Sequence, residues 1–399
     1  MATSGVADRG STKRSSDTNI WHNPTVRGIF WQIVLIAVVI GGVVYLASNA
    51  IDNLQRQHIA SGFGFLNKES GFDISEKLIE YEPSDTYREA FVVGLLNTFE
   101  VAGIGVVLAT ILGTLVGVAR LSPNWLLAKM AQVYVELWRN LPLLLQLFFW
   151  YALLHVTAPG PRDAWHPLPG VFVSNRGLMF PTPSPDPSHK LIWVAFFVGI
   201  VAAIVVDWWA RKRQEATGQP FPMLAASAGL IIGLPLIVFL VTGAHMQLDL
   251  PELQGFNFAG GASFSPELTA LLIGLVVYTA SYIAEIVRSG ILAVSHGQTE
   301  AAGALGLRRS LVLRLIVLPQ ALRIIIPPMT SQYLNLTKNS TLAVAIGFPD
   351  LVFVAQTQIN QTGQAIEGIG IIMATYLAIS LSISLVMNIY NARIALKGR

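Results

Sequence analysis

The chain has 399 residues, 53% of them hydrophobic and only 12% charged, roughly half the charged share of an average soluble domain. With a mean hydropathy of +0.56 it belongs to the membrane class. The absence of cysteine excludes disulfide staples and thiolate metal sites. A net charge of +3 is distributed by membrane side, as the spans show, and does not mark a nucleic-acid binder.

A helix crossing a bilayer needs roughly 20 apolar residues, and eight stretches qualify. Residues 1–27 form a polar tail, followed by a first span at 29–50, within a transmembrane segment 28–50. The lengths of the lead and of the apolar run favour an uncleaved anchor over a signal peptide. Residues 51–89 carry Glu69, Asp73, Glu76, Glu80, Glu82, Asp85 and Glu89 and read as a small helical cap with a solvated acidic surface. Spans at 92–118 and 136–157 come next, the latter interrupted by Arg139 and Pro142. The Pro-rich stretch 158–190, with four prolines between Pro181 and Pro187, reads as an ordered outer loop or a polyproline segment. Spans at 191–209 and 224–243, joined by Arg211-Lys212-Arg213, look like a peripheral pair inside an insertion at 158–265. Spans at 267–288, 316–337 and 369–390 complete the set. Pro327-Pro328 should kink or break the seventh.

Orientation follows from Lys and Arg. With the N-terminus inside, eighteen of the 26 fall in cytoplasmic segments. Seven lie outside (Arg56, Lys68, Lys77, Arg88, Arg162, Arg176, Lys190), and Lys338 sits at depth. Both termini are therefore expected in the cytoplasm.

Between spans six and seven, Gln298 to Leu307 reads as a short amphipathic helix. Glu300 lies near its positive end and Arg308-Arg309 at its negative end. An interfacial lipid anchor is the alternative, but the apolar face is too small for one, which favours docking to a protein. This segment resembles the EAA loop of ABC importer permeases, E-A-A, three residues, G, nine residues, I-x-L-P. Here Glu300-Ala301-Ala302, Gly306, Ile316, Leu318 and Pro319 fall on every specified position. The resemblance implies an integral membrane, all-α chain of the type I (MetI-like) importer fold. Its loop 297–319 would carry the coupling helix, with Gly297, Thr299, Glu300, Ala301, Ala302, Gly306, Leu307 and Arg308 facing a separate ATPase dimer. No G-x-x-x-x-G-K-[ST] occurs in the chain, so the chain itself is expected to bind no cofactor, with ATP and magnesium held by that partner. The seven histidines are scattered, without metal-ligand spacing.

Further segments resemble the polar amino-acid branch of these permeases: Gly94-Leu-Leu-Asn-Thr98, Tyr134-Val-Glu-Leu-Trp-Arg-Asn-Leu-Pro142, Tyr282-Ile-Ala-Glu-Ile-Val-Arg-Ser-Gly290 and Lys338-Asn-Ser-Thr-Leu342. A five-span core at 90–157 and 266–394, preceded by an extra span and interrupted by an insertion, is similar to the longer, Q-type subunit of general L-amino-acid importers. That implies further partners: a second homologous permease, a periplasmic amino-acid-binding protein, the lipid of a bacterial inner membrane and the amino acid itself, with no nucleic acid.

Polar residues inside spans are expensive and are candidate pathway groups. These are Asn97, Glu100, Gln146, Tyr278, Ser281, Tyr282, Asn335, Lys338, Ser340 and Thr341. Lys338 would attract a substrate carboxylate and Glu100 an amino group, unless the two pair with each other or Lys338 snorkels outward. Glu136–Arg139 and Glu285–Arg288, each three residues apart on a helix, read as structural ion pairs. Two other functional readings stand beside the importer permease. A secondary transporter would show inverted repeats and its own ion site, and none is evident. A structural partner lacking its own substrate site would look the same in sequence.

Overall fold

The computed structural model describes residues 24–56, 61–184, 186–219, 221–243 and 248–394. The N-terminal tail up to residue 23, the basic end with Lys397 and Arg399, and His22, His58 and His245 lie outside the described residues. Among the described residues, seven helices are long and apolar enough to cross a membrane, and eight if a pair bent by 103° counts as one span, against the eight spans read from sequence.

Two helices form the spine of the bundle. Helix α2 (Tyr87–Ala119) starts with a capping box, in which Thr86 and Glu89 satisfy each other's backbone N–H groups. It packs along α8 (Pro266–Leu292), and the two run in the same direction. Gly105, Ala109, Gly113 and Gly117 recur four residues apart, so one face of α2 is nearly bare backbone; Gly113 and Gly117 make the seam with α8, while Gly105 faces Leu336. A Cβ at Gly113 would sit 2.6 Å from Ile283 Cβ and 2.8 Å from the Ala280 carbonyl, and one at Gly117 would sit 2.7 Å from the Ala284 carbonyl. The third span is the bent pair α3 (Trp125–Asn140) and α4 (Leu143–Ala152), which turns through 103° at Leu141-Pro142. A π-helical turn, Leu153–Thr157, finishes it. Leu147 of α4 fills the notch over Gly274.

After α8 come α9 (His296–Ala304) and a short α10 (Arg309–Val312). A π-turn, Leu313–Val317, leads into α11 (Leu318–Asn339), which returns antiparallel to α2 and α8. Thr110 on α2 donates to the Tyr333 hydroxyl of α11 at 3.0 Å. The expected break at Pro327-Pro328 does not occur: both prolines lie inside α11, flanked by Ile325 and Met329 buried against α8. Packing holds the helix through two missing donors. The backbone changes later, at Ser340, where a 3₁₀ segment Ser340–Ile346 ends on Gly347 in the left-handed region (φ 82°). Asp350 then caps α12 (Leu351–Thr362), accepting from Phe353 N at 2.9 Å, and α13 (Ala365–Ile394) makes the last crossing.

The segment 51–89 is not a helical cap. Helix α1 (Pro24–Arg56) runs into it, but among the described residues between α1 and α2 only Phe63–Asn67 forms a helical turn, a 3₁₀ one. The rest is extended or turns, and Phe65, Ile74 and Tyr81 anchor it on α2 and α12. Its acids face outward as expected, with Glu69, Asp73, Glu80, Glu82 and Glu89 exposed, while aromatic packing holds its path: Tyr81 shares its hydroxyl with Ser70 Oγ (2.6 Å) and donates to the Phe72 carbonyl (3.0 Å).

The insertion also differs from expectation. Where a loop or polyproline segment is expected at 158–190, the described residues form short β-strands joined by turns, within a chain that is mostly helical as expected. Strands β1 (Trp165–Leu168), β2 (Val171–Ser174), β3 (Gly177–Phe180) and β8 (Ala262–Phe264) form one antiparallel sheet in that order. Between β3 and β8 lie two pairs, β4 (Thr182–Pro183) with β5 (Leu248–Asp249) and β6 (Glu252–Gln254) with β7 (Asn257–Ala259). Prolines fall where ladders tolerate them, in the edge strand β1 and in the two-residue β4. From β4 the chain leaves as α5 (Pro187–Thr217) and returns through α6 (Met223–Ala228), a π-turn and α7 (Leu234–Thr242). These helices pack chiefly on one another, with Gly199 pressed against the Leu230 carbonyl.

Candidate functional site

The sequence-predicted residues fall into two groups. The first is α9. Every described residue from Ser295 to Gly306 is exposed except Ala302, which is 3% exposed. One small side chain thus seats the helix, and the rest stands clear. Glu300 pairs with His296 one turn back (3.0 Å) on the outer face, while Gly297, Thr299 and Ala301 are open. Gly306, at φ 74°, lets the chain reverse, and Leu307 N closes the end by donating to the Ala302 carbonyl (3.2 Å). Leu305 projects at 81% exposure and Arg308 is exposed beside it. The helix begins at His296, two residues before the expected start.

The second group is dispersed along the spine. Five of its members are occupied by backbone. Asn97, fully buried, donates to the carbonyls of Glu76 (2.8 Å) and Pro349 (2.9 Å), tying the cap to the α11–α12 connection. Gln146 donates to the carbonyls of Trp138 and Leu141, both at 3.0 Å, across the α3–α4 bend. Ser281 and Ser340 are buried and donate to carbonyls of their own helical turns. Thr341 does the same toward the Lys338 carbonyl at 2.8 Å.

The remaining members present polar groups outward. On α11, Ser331, Asn335 and Lys338 are exposed at i, i+4 and i+7, one stripe of a spanning helix. Lys338 has no ion pair among the described residues, and the charged neighbour of Glu100 is Glu76, an acid. The alternative in which Lys338 and Glu100 pair with each other is thus not found among the described residues. On α8, the Tyr278 hydroxyl donates to that of Tyr282 at 3.2 Å.

Three charged residues have roles not read from the sequence. Glu285 binds Arg288 as expected (Nε to Oε2, 3.3 Å), and also Arg120 from the end of α2. Nothing local signals Arg120, which is 165 positions away. Arg139 is not paired with Glu136. Glu136 takes the Gln132 amide at 2.6 Å, and the Arg139 guanidinium lies over the Tyr282 ring, 4.9 Å from its centroid. Asp350 is fully buried; one of its carboxylate oxygens caps α12, and the other has no hydrogen bond. Among the described residues, no group of three or more His, Asp and Glu side chains could hold a metal ion.

Residues 105–397 match the family described as the inner membrane component of binding-protein-dependent transport systems. The chain is 50% identical to the general L-amino acid transport system permease protein AapQ of Rhizobium johnstonii, over 95% of this chain and 94% of that one. It is 49% identical to the putative amino-acid ABC transporter permease protein YhdX of Escherichia coli, over 99% and 100%. It is 41% identical to the glutamate/glutamine/aspartate/asparagine transport system permease protein BztB of Rhodobacter capsulatus, over 94% and 95%. A spine of spanning helices, an exposed helix carrying the E-A-A…G spacing, and these matches agree: the chain belongs to the binding-protein-dependent transport family of ABC permease subunits.

Proposed function

We propose that this chain forms half of the translocation pathway of a bacterial inner-membrane importer for polar L-amino acids, with both termini in the cytoplasm. Its α9 docks a separate ATPase dimer, a second homologous permease completes the pathway, and a periplasmic amino-acid-binding protein delivers the substrate. The observation that carries this reading is α9 itself. A water-facing helix seated by a single alanine, with an apolar knob at Leu305, has no reason to stand clear unless something covers it. Magnesium and nucleotide belong to the ATPase in this reading, and the small glycine- and alanine-rich face of α9 suits insertion into a groove. The exposed Ser331–Asn335–Lys338 stripe supports the pathway assignment, because an uncompensated cation in a span needs water or a polar neighbour.

The test is co-expression with the cognate ATPase, second permease and binding protein, followed by ATP-dependent uptake of an amino-acid panel in proteoliposomes. Polar amino acids are expected to accumulate only when ATP and the binding protein are present. Accumulation driven by an ion gradient without ATP would overturn the reading. Ala301→Asp, which puts a charge on the docking face without touching the spans, is expected to cut ATPase co-purification by at least about tenfold. Full assembly and uptake in that variant would remove α9 from the interface.

A further inference from the structure

The α3–α4 bend is a built feature. The 103° turn frees the carbonyls of Trp138 and Leu141. Buried Gln146 takes both with one amide group, and Trp138 is stacked on Trp150 of α4 (5.8 Å between centroids). Arg139 lies between the two carbonyls so held, and its guanidinium is laid over Tyr282 of α8. Tyr282 lies in α8 ten residues before its end at Leu292, about 15 Å along the axis, and Arg139 above it is an exposed side chain.

Two arginines near the same end of the spine, Arg120 and Arg288, share one acid, Glu285. Among the described residues Arg139 has neither an ion pair nor a hydrogen bond. Glu136, the acid three residues before it, is engaged with Gln132. Stacking on the ring fixes the guanidinium plane and leaves its N–H edges open, and guanidinium can only donate. The Tyr282 hydroxyl accepts from Tyr278, so its own proton is also free to be given. Guanidinium N–H groups and a phenol O–H therefore meet on the exposed side of the bend, with no acceptor of their own among the described residues.

We propose that Arg139, with the Tyr282 hydroxyl, receives a carboxylate of the transported amino acid at the α3–α4 bend. A carboxylate is the acceptor that matches the guanidinium fork, two parallel N–H···O bonds with opposite charge, and every amino acid carries one. The preorganised bend reduces the ordering cost of binding. Lys338, a point charge on a different helix, does not offer this fork. The inference rests on the amino-acid importer reading and names the group that reads the substrate.

The test uses the purified complex of this chain with its second permease and ATPase, in nanodiscs without the binding protein. Equilibrium binding of radiolabelled L-glutamine and L-glutamate is measured, with L-glutaminamide, which lacks the α-carboxylate, as competitor. Arg139→Gln is expected to weaken binding by at least about tenfold, and Tyr282→Phe by about threefold, the scale of one charge-assisted and one neutral hydrogen bond. Arg139→Lys, which keeps the charge and loses the fork, is expected to fall between wild type and Arg139→Gln, and guards against a folding defect in the latter. The amide should compete poorly with the amino acid on the wild-type complex. Wild-type affinity in both Arg139 variants overturns the proposal. So does loss of subunit assembly with unchanged affinity in the complexes that remain, since Arg139 would then hold a carboxylate of a neighbouring subunit. A wild-type complex that neither binds nor imports any amino acid defeats the functional reading and this inference with it. Wild-type import with unaltered Arg139 variants defeats this inference alone.

Discussion

Glu285 shows how one side chain can decide the state of two others. It lies on α8 with Arg288 a turn away and Arg120 arriving from α2, and all three side chains are less than a third exposed. Removing the acid leaves two cations facing each other where the two helices converge, and an unpaired, partly buried charge costs more than the pair itself contributes. Glu285→Gln is expected to lower the stability of the purified chain by about 2 kcal/mol, read as a drop in the midpoint of heat-induced loss of the monodisperse peak. Arg120→Gln should cost less, because Glu285 keeps Arg288. Equal losses would show that Arg120 carries the contact alone. In the segment between α1 and α2, Tyr81 makes a different point. Burial raises its hydroxyl pKa above the ordinary tyrosine value, so the group stays a neutral donor to the Phe72 carbonyl through the physiological range. Tyr81→Phe removes two hydrogen bonds from a buried site and is expected to cost about 1–2 kcal/mol, measured as faster proteolysis within residues 61–86.

Among elements, the α2–α8 seam is the most demanding. Gly113 leaves no room for a methyl group, since a Cβ there would meet the Ala280 carbonyl, a backbone atom that moves only if the whole helix moves. Gly113→Ala is therefore expected to separate the helices and cost about 2 kcal/mol. Gly103→Ala, on the same helix with nothing within 4 Å of the added carbon, should be neutral or slightly stabilising by helix propensity. Comparable losses in both would mean that the α2 backbone matters and the seam does not. The sequence made some elements legible and hid others. Spans announce themselves because lipid demands long apolar helices, and α9 because its spacing is specific. The seam is only half visible: four small residues at intervals of four say that α2 approaches something closely, not that it is α8. The sheet at 165–183 is hidden because its strands have four residues or fewer and contain prolines, so alternation has no room to register. Pathway residues were the least legible. Polar side chains in spans were read as facing the substrate, yet Asn97, Gln146, Ser281 and Ser340 point at carbonyls. Arg139, without an acid partner among the described residues, reads by spacing as the partner of its helical neighbour Glu136. Local spacing offers a pairing, and only the three-dimensional bend withdraws it.

At the scale of the whole molecule, the insertion poses a question of necessity. Its helix pair leaves the sheet after β4 and returns at β5, and these strands are paired, Thr182 opposite Asp249 and Pro183 opposite Leu248. The 64 residues between Pro183 and Leu248 are thus an excursion whose ends already meet. Replacing residues 184–247 by Asn-Gly would turn β4–β5 into a tight hairpin, the loop that two antiparallel strands accept most readily. Two spans are removed together, so the downstream core from α8 to α13 keeps its orientation. The remaining sheet still reaches that core through β8, which runs directly into α8, and through Glu76, which accepts from Ser265 N at 2.8 Å. The shortened chain is therefore expected to insert and purify as a monodisperse species with a melting midpoint within a few degrees of the full chain. If it also assembles with its partner subunits and supports uptake, the pair is peripheral to transport. If it folds but fails to assemble, the lipid-exposed faces of α5 and α7 are where a neighbouring subunit sits. Aggregation of the shortened chain alone would show that the excursion, despite its closed ends, is part of what holds the core together.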